Sequence, residues 1–279
     1  MHRLLTGSLK VETVTVEILG LPDELQNTQI VQLSDFHYDG KCLSDELLME
    51  AIARSNEYQP DAVMLTGDFV TDDPAPIHAL ALQLKQLQSR CGVYAVLGNH
   101  DYYVAGADAE ITAALSAIGI QVLVNDVAYP FGPALPVVGL ADMWSGQFYP
   151  HSVMNQLDAA TPRLVLSHQP DSAVPLQRWR VDLQLSGHTH GGQIVLPRLG
   201  PLPAWGRKIR RRIPSAIRRH IPYFRRECYK VIRHWNWAQG LHSVGANTLY
   251  VNRGLGTYFP GRLMCPPEIT VITLAKGRR

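Results

Sequence analysis

Short apolar runs alternate along the chain with segments in which apolar residues recur every three or four positions. In the first run Val14, Val16 and Ile18 alternate with polar residues, which predicts an edge strand with one solvent-facing side. Later runs are more continuously apolar, as is typical of buried strands. The buried strands predicted in this way are residues 30–33, 61–66, 93–97, 121–124, 135–139, 163–166 and 181–185.

Helices are predicted between several of these strands. Ser44 precedes Asp45 and Glu46, the pattern of an N-cap followed by an acidic first turn, and predicts a helix that ends near Tyr58. Further helices are predicted at about 76–88, 107–118 and 153–159. The repeated order of strand and helix indicates an α/β protein with parallel strands. Two late strands, 247–251 and 269–274, are predicted to close a second sheet.

The composition favours one large domain in a reducing compartment. The 279 residues are 46% hydrophobic, which is enough to fill a sizeable core. The four cysteines show no CxxC spacing, so neither a zinc ribbon nor a disulfide framework is indicated. Residues 1–8 lack the apolar region of a signal peptide, and no window approaches the ~20 apolar residues of a membrane-spanning helix. We expect a cytoplasmic protein, with any membrane contact peripheral and at the inner face of the cytoplasmic membrane.

The segment 197–240 differs from the rest of the chain. The net charge is only +2, but twelve Lys or Arg and a single acid lie between Arg198 and Arg233, so the remainder is net acidic. Apolar residues recur every three or four positions among the arginines, which predicts short amphipathic helices interrupted at Pro214 and Pro222. We interpret this segment as a basic amphipathic helical cap inserted into a single domain of residues 1–279.

Polar clusters follow five of the predicted strands. His188 and His190 lie on a glycine-flanked turn, where the backbone can fold closely around two imidazoles. Because ligands of parallel α/β sheets gather beyond the carboxyl ends of the strands, we expect all five clusters to meet. The clusters are Ser34-Asp35-Phe36-His37, Gly67-Asp68, Gly98-Asn99-His100-Asp101, Ser167-His168 and Gly187-His188-Thr189-His190.

In order and in residue type, these clusters resemble the five-block signature of the calcineurin-like metallophosphoesterases. The residues at 167–170 and 187–193 are most similar to a bacterial branch that includes the YkuE and YaeI phosphoesterases and the chlamydial-type UDP-2,3-diacylglucosamine hydrolase. The resemblance implies a four-layer αββα sandwich, in which two sheets pack face to face with helices outside. Periodicity alone does not specify that architecture.

The donor atoms of the clusters indicate a pair of transition-metal ions. Carboxylate and amide oxygens mixed with imidazole nitrogens suit Mn²⁺, Fe²⁺ or Zn²⁺ better than Ca²⁺, and we expect Mn²⁺. The donors are also more numerous than one such ion uses. The resemblance implies one ion held by Asp35, His37 and His190, a second held by Asn99, His168 and His188, and Asp68 as the bridge between them.

The resemblance further implies hydrolysis of a phosphoester. Two ions about 3.5–4 Å apart lower the pKa of a water that they share, and this bridging hydroxide is the expected nucleophile. His100 is expected to stabilise a phosphoryl oxygen or to protonate the leaving alkoxide, with Asp101 orienting its imidazole. Arg253 is expected either to bind substrate phosphate or to brace the His-x-His turn. Asn125 and Asp142, at strand exits, are candidates for outer groups of the site.

The basic segment bears most on the choice of substrate. Its cations and its apolar stripe suit an anionic membrane surface or a lid for acyl chains, which favours a lipid-linked phosphodiester or pyrophosphate such as UDP-2,3-diacylglucosamine. Two alternatives stay open: a purely structural cap, and a general phosphodiesterase or nuclease whose cations bind nucleic acid. The regular apolar stripe disfavours nucleic acid, on which aromatic side chains stack singly with bases.

Overall fold

The computed structural model describes residues 6–210, 213–214, 217 and 231–277, and within them strands alternate with helices. The strands are β1 (Lys10–Leu19), β2 (Gln29–Leu33), β3 (Ala62–Leu65), β4 (Val93–Ala95), β5 (Gln121–Val122), β6 (Asp126–Ala128), β7 (Val137–Gly139), β8 (Leu164–Leu166), β9 (Leu183–Ser186), β10 (Val195–Leu196), β11 (Gly200–Pro201), β12 (Gly240–Val244), β13 (Asn247–Val251) and β14 (Glu268–Gly277). The α-helices are α1 (Asp45–Glu57), α2 (Ile77–Leu84), α3 (Ala107–Ser116), α4 (His151–Met154), α5 (Ala173–Leu176) and α6 (Leu202–Arg210).

The strands form two six-stranded sheets and a small hairpin. The first sheet has the spatial order β1-β14-β2-β3-β4-β5, the second has the order β12-β13-β9-β8-β7-β6, and β10 pairs with β11. The run β2 to β5 is parallel in the first sheet, and the run β7 to β9 is parallel in the second. Parallel pairing brings the carboxyl ends of neighbouring strands to one edge of each sheet, where the sequence predicts the polar clusters.

Side chains alternate along the strands between separate apolar layers. In β2, Ile30 packs between the two sheets, whereas Val31 and Leu33 pack with the apolar faces of α1, α2 and α3. On the outer face of the second sheet, Val165 packs with residues of α4 and α5. The resulting order of helix, sheet, sheet and helix is the four-layer αββα sandwich that the resemblance implies, so the predicted fold class is confirmed.

Several local predictions are confirmed. β1 lies at the edge of the first sheet, as its alternating pattern predicts. Ser44 caps α1, because its side chain accepts a hydrogen bond from the N–H of Leu47 at 3.3 Å. The buried strands at 30–33, 61–66, 93–97 and 163–166 are found as β2, β3, β4 and β8; β2 begins one residue earlier than predicted, and the other three are shorter.

Other element predictions are wrong. The late strand predicted at 269–274 belongs to β14, which pairs with β1 and β2 in the first sheet rather than closing the second. Its apolar pattern fits a buried strand in either sheet, so the pattern could not select the partner. The helix predicted at 153–159 is the single turn α4, which starts directly after Pro150 at a helical φ of −59°. β12 was not predicted, and it pairs with β13 at the edge of the second sheet.

The predicted cap lies only partly within the described residues. Its first part forms β11, which pairs with β10 just before it, and α6, while most of the amphipathic helices predicted after Arg210 fall outside the described part of the chain. Where the description resumes, Ile232 and Trp235 are buried and pack with Ala204 of α6. None of the described helices has both the length and the apolar character that crossing a bilayer requires.

Candidate metal centre

The seven predicted ligands come from five loops that meet beyond the ends of β2, β3, β4, β8 and β9. Parallel pairing within each sheet, and the packing of the two sheets face to face, bring these strand ends together. Each of the seven side chains belongs to a residue that is at most 7% exposed. The residues are Asp35, His37, Asp68, Asn99, His168, His188 and His190.

Asp35, His37 and His190 form one group of donors. The Nε2 atoms of His37 and His190 are 3.1 Å apart, and Nε2 of His190 lies 3.5 Å from Oδ1 of Asp35. The ligand atoms of the three residues all lie within 4.8 Å of one another, a spacing that one cation can span. Asp35 is held in place by the backbone N–H of His188, which lies 2.9 and 3.0 Å from its two carboxylate oxygens.

Asp68, His168 and His188 form a second group with the same spacing of ligand atoms. Oδ2 of Asp68 lies 3.1 Å from Nε2 of His168 and 3.4 Å from Nε2 of His37, which belongs to the first group. The carboxylate therefore stands between the two groups. This is the position that a carboxylate shared by two ions would occupy.

Asn99 carries an oxygen that lacks a partner. Its Oδ1 is buried and makes no hydrogen bond with any described residue, while its Nδ2 donates to the hydroxyl of Tyr103 at 3.1 Å. A buried amide oxygen without a partner is costly, and a cation would satisfy it. Carboxylate and amide oxygens combined with imidazoles also suit borderline divalent ions. The residues present therefore fit a two-ion centre.

The outer nitrogen of each ligating imidazole is fixed by a hydrogen bond. Three of the rings are placed to donate an N–H to a backbone carbonyl, which directs the opposite nitrogen toward the site. The fourth, His37, has its Nδ1 2.9 Å from the hydroxyl of Tyr258. The three carbonyl contacts are His168 Nδ1 to Thr66 at 2.6 Å, His190 Nδ1 to Gly256 at 3.1 Å, and His188 Nε2 to Val231 at 3.1 Å.

Burial determines the charge of most of these imidazoles. It lowers the pKa of His37 and of His188 to about 3 and holds that of His190 well below its usual value, so these rings are neutral and able to bind cations. His168 differs: burial opposes its charge, but the neighbouring Asp68 carboxylate raises its pKa to about 10. Binding of an ion would displace the proton that His168 carries.

The loops approach one another closely at two glycines. A Cβ on Gly187 would overlap the Ser34 hydroxyl and the Asp35 carboxylate, and a Cβ on Gly98 would overlap Oδ1 of Asp68. Five of the ligands also have positive φ, a conformation that Asp and His adopt more readily than most residues. They are Asp35 (52°), His37 (44°), Asp68 (55°), His188 (71°) and His190 (50°). Such backbone strain is concentrated at functional sites.

His100 lies beside the Asp68 carboxylate. Its backbone N–H donates to Oδ1 of Asp68 at 2.9 Å, and its Nδ1 lies 2.7 Å from the carbonyl oxygen of Thr71. Donation of the Nδ1 proton to that carbonyl leaves Nε2 directed into the site, 3.5 Å from the hydroxyl of Tyr258. His100 can therefore exchange a proton at Nε2 with a group bound next to Asp68.

Asp101 does not orient His100, which corrects the sequence-based expectation. Its buried carboxylate accepts four backbone N–H groups instead, and the His100 ring is oriented by the Thr71 carbonyl. The four donors are Asp68 at 3.0 Å, Phe69 at 2.9 Å, Val70 at 3.3 Å and Gly98 at 2.8 Å. Asp101 therefore fastens the loop after β3 to the loop after β4. Its role at the centre is to hold the backbone that carries two ligands.

Arg253 pairs with two carboxylates inside the protein. Its guanidinium pairs with Glu12 at 2.7 Å and with Glu268 at 2.6 Å, and the residue is only 8% exposed. Its side chain also packs against Gly191, where an added Cβ would lie 2.9 Å from Cγ of Arg253. Since two carboxylates already engage the cation, this placement favours bracing of the His-x-His turn over contact with substrate.

Tyr258 is a site residue that the sequence analysis missed. Its hydroxyl lies 2.9 Å from Nδ1 of His37 and 3.5 Å from Nε2 of His100, so it links a ligand to the predicted acid. Its backbone N–H donates to Oε1 of Gln193 at 2.7 Å, which ties it to the loop after the His-x-His turn. The only signal in the sequence is its place after Gly254, Leu255 and Gly256, and no spacing rule connects it with the five clusters.

Of the two outer candidates, only Asp142 belongs near the centre. Asp142 is buried, accepts from Nε2 of Gln169 at 3.2 Å, and retains one carboxylate oxygen with no hydrogen-bond partner among the described residues. Burial raises the pKa of Asp142 to about 6. Asn125 instead holds the loop near residue 147, because its Nδ2 donates to the carbonyl of Gln147 at 2.8 Å.

A cavity of about 320 Å³ borders the second group of donors. Trp144, Asp171, Arg233 and His234 are among the residues that line it. It adjoins the centre because the Trp144 ring meets the His188 ring edge to face, with 5.1 Å between centroids. The cavity therefore lies on the His188 side of the centre, with Trp144 between them.

Together the fold and the site define a class of protein. Two groups of donors that share one carboxylate, with a histidine beside them at the edge of a four-layer sandwich, are the arrangement of a dinuclear metallohydrolase. Comparison with known families agrees with this class. The chain belongs to the calcineurin-like phosphoesterase family, whose sequence model matches residues 28–192.

Three relatives place the chain within that family. It is 30% identical to the uncharacterized metallophosphoesterase YkuE of Bacillus subtilis, over 93% of this chain and 83% of the relative. It is 31% identical to the phosphodiesterase YaeI of Escherichia coli, over 88% and 82%. It is 27% identical to the UDP-2,3-diacylglucosamine pyrophosphatase LpxG of Chlamydia trachomatis, over 89% and 84%. The predicted branch is confirmed, and the chain is a metallophosphoesterase.

Proposed function

We propose that this chain hydrolyses a phosphodiester or pyrophosphate bond in a lipid-linked substrate such as UDP-2,3-diacylglucosamine, with two divalent ions. The observation that carries the proposal is the position of the Asp68 carboxylate, 3.1 Å from His168 and 3.4 Å from His37. Asp35, His37 and His190 would hold one ion, and Asn99, His168 and His188 the other. We expect Mn²⁺, with Fe²⁺ or Zn²⁺ as alternatives.

The chain's own residues support the chemistry in several ways. When bound, a pair of such ions supplies charge neutralisation at the phosphoryl group and a water of lowered pKa. Asp68 would be shared by both ions. His100, whose Nδ1 lies 2.7 Å from the Thr71 carbonyl, would deliver a proton from Nε2 to the leaving oxygen. Tyr258, whose hydroxyl lies near both rings, would fix the orientation of the His100 ring relative to the His37 ring.

Two observations support a lipid-linked substrate. One relative is named as a UDP-2,3-diacylglucosamine pyrophosphatase, at 27% identity. The segment from Arg198 to Arg233 combines twelve cations with an apolar stripe, a composition that suits an anionic membrane surface. We propose that residues 197–240 form a cap on one domain of residues 1–279, and that the enzyme works peripherally at the inner face of the cytoplasmic membrane.

A second candidate is a general phosphodiesterase or nuclease. The twelve cations could bind a phosphate backbone as well as lipid headgroups, and the relative YaeI is named only as a phosphodiesterase. A nuclease would cleave oligonucleotides in a strongly salt-dependent manner. We prefer the lipid-linked substrate because the apolar stripe could then contact a membrane surface or acyl chains.

The experiment is a substrate screen with Mn²⁺ present. We expect turnover of bis-p-nitrophenyl phosphate and of UDP-2,3-diacylglucosamine, and little turnover of p-nitrophenyl phosphate or of an oligonucleotide. His100→Ala should lower kcat by roughly 10²- to 10⁴-fold with metal content unchanged. Asp68→Asn should remove metal and activity together. The matched control is His78→Ala, since His78 is an exposed histidine on α2 that pairs with Glu110.

Two outcomes would overturn the proposal. A His100→Ala enzyme with normal kcat at saturating metal would remove the predicted proton donor. A wild-type enzyme that binds two ions but hydrolyses only the monoester would exclude the diester and pyrophosphate substrates. Cleavage of the oligonucleotide in preference to UDP-2,3-diacylglucosamine would establish the second candidate.

A further inference from the structure

Large apolar side chains are exposed in one loop next to the metal centre. Phe259 is 75% exposed, Met264 is 64% exposed and Leu263 is 53% exposed, all within residues 259–264. Leu199, at the turn of the β10–β11 hairpin, is 49% exposed. Single exposed apolar residues are ordinary, but several in one loop beside a functional site mark an interaction surface.

This loop and the hairpin are parts of one surface. The N–H of Leu263 donates to the carbonyl of Gln193 at 2.8 Å, and the N–H of Val195 donates to the carbonyl of Leu263 at 2.9 Å. Phe259 directly follows Tyr258, whose hydroxyl contacts the ligand His37 at 2.9 Å. The exposed apolar side chains therefore belong to a loop that reaches the metal centre through Tyr258. We name residues 197–200 together with 259–264 the mouth loops.

The charged residues of the mouth loops and of the sequence next to them all have one sign. Residues 191–210 and 256–267 contain no Asp or Glu, and their cations are Arg198, Arg207, Lys208, Arg210 and Arg262. Arg262 is engaged inside the protein, where it donates to the carbonyls of Gly254 and Gly256. Cations beside exposed apolar side chains suit a partner that offers anionic groups above an apolar layer, which is the cross-section of an anionic lipid membrane.

We propose that the mouth loops insert into an anionic membrane surface and so present the metal centre to the headgroup region. The inference rests on the proposed function, because an enzyme with a lipid-linked substrate needs its metal centre near the membrane surface. It goes beyond the basic cap, since it assigns the apolar contact to residues 259–264, which lie outside that segment. Phe259 and Met264 would enter the acyl boundary, and Arg198 would meet lipid phosphates.

The test is vesicle flotation of the full-length, metal-loaded enzyme. Vesicles of phosphatidylcholine with about a third phosphatidylglycerol should retain the wild-type protein, and pure phosphatidylcholine should retain less of it. Phe259→Ser with Met264→Ser should weaken binding by at least about tenfold, because two large apolar contacts are lost. Leu199→Ser, on the other loop, should weaken it less. Leu82→Ser is the control, since Leu82 is 69% exposed on α2, away from the mouth loops.

Each result supports or overturns the proposal. Weaker binding of the Phe259→Ser, Met264→Ser enzyme and of Leu199→Ser, with Leu82→Ser unchanged, supports it. It is overturned if the wild-type enzyme stays unbound, or if the double variant binds like wild type with an unchanged melting temperature. It is also overturned if light scattering shows a dimer that only these substitutions dissociate, because the surface would then bind a second copy.

Hydrolysis of bis-p-nitrophenyl phosphate separates this inference from the proposed function. That substrate is soluble and needs no membrane, so the mouth-loop variants should hydrolyse it at the wild-type rate. Diester hydrolysis without vesicle binding would reject the membrane contact alone. Vesicle binding without diester or pyrophosphate hydrolysis would reject the proposed function and leave the contact in place.

Discussion

The replacement Asp101→Asn distinguishes between two roles for Asp101. The sequence suggested that Asp101 orients the His100 imidazole, whereas the structure shows it bonded to the backbone of two loops. The carboxylate of Asp101 accepts N–H groups from the loops after β3 and β4, including those of Asp68 at 3.0 Å and Gly98 at 2.8 Å. Asparagine has almost the same shape but turns one acceptor oxygen into an NH₂ donor. Two of the four backbone N–H groups would then face a donor.

The expected loss of stability follows from these contacts. A buried donor left without an acceptor costs about 1–3 kcal/mol, so two such donors cost about 2–6 kcal/mol in the free energy of unfolding. That is a large part of the about 5–15 kcal/mol that typically stabilises a domain. The same loops carry Asp68 and Asn99, so metal affinity should fall together with stability. The His100 ring should keep its Thr71 contact.

Urea unfolding, with and without chelator, measures the loss in the free energy of unfolding. Elemental analysis measures the metal content, and kcat is measured at saturating Mn²⁺. Asp39→Asn is the control, because Asp39 accepts backbone N–H groups from Lys41 and Cys42 in a more exposed loop. We expect a small effect there. If Asp101→Asn unfolds and binds metal like wild type while kcat falls, the reasoning from the backbone contacts is refuted, and Asp101 acts on catalysis.

Three further replacements probe the surroundings of the centre. Tyr258→Phe should lower kcat roughly tenfold with KM and metal content nearly unchanged, because one hydrogen bond to the His100 and His37 rings is lost, and steady-state kinetics checks this. Gly187→Ala should abolish metal binding and activity, since the added Cβ overlaps the Asp35 carboxylate. Elemental analysis measures the bound metal, and a fully metallated variant would contradict this prediction. Arg262→Met should lower the free energy of unfolding by about 2–4 kcal/mol, measured in urea, because several buried carbonyls lose their donor; an unchanged midpoint would contradict it.

The convergence of the seven candidate ligands was predictable because each combines a distinctive residue type with a fixed place after a strand. Asp35 follows β2 and His188 follows β9, and the parallel order of the strands determines where such residues meet. The four-layer architecture, in contrast, came from resemblance. Apolar runs show that a strand is buried but not which sheet contains it, and β14 was accordingly placed in the wrong sheet.

The residues around the ligands were not predictable, because their roles depend on contacts between distant parts of the chain. Asp101 follows His100 directly, and that adjacency suggested a contact between their side chains that the structure replaces with backbone N–H groups. The sequence leaves Arg253 open between two roles, and only its pairs with Glu12 and Glu268 favour bracing of the His-x-His turn. Tyr258 was missed because its one sequence signal, a place after Gly254, Leu255 and Gly256, does not point to His37.

The positive φ angles of the candidate ligands explain why the loops that carry them are held by so many backbone hydrogen bonds. Each strained residue costs of order 1–3 kcal/mol, and the cost must be met by contacts that exist without an ion. Those contacts are present: the N–H of Asp35 donates to the carbonyl of Gly67 at 3.0 Å, the N–H of His37 to that of Asp68 at 3.0 Å, and the N–H of Gly256 to that of Asp35 at 2.7 Å. Because the loops are bonded to one another through their backbones, the ligand geometry is set by the fold. The donor atoms that would hold the ions are therefore placed by contacts within the chain itself.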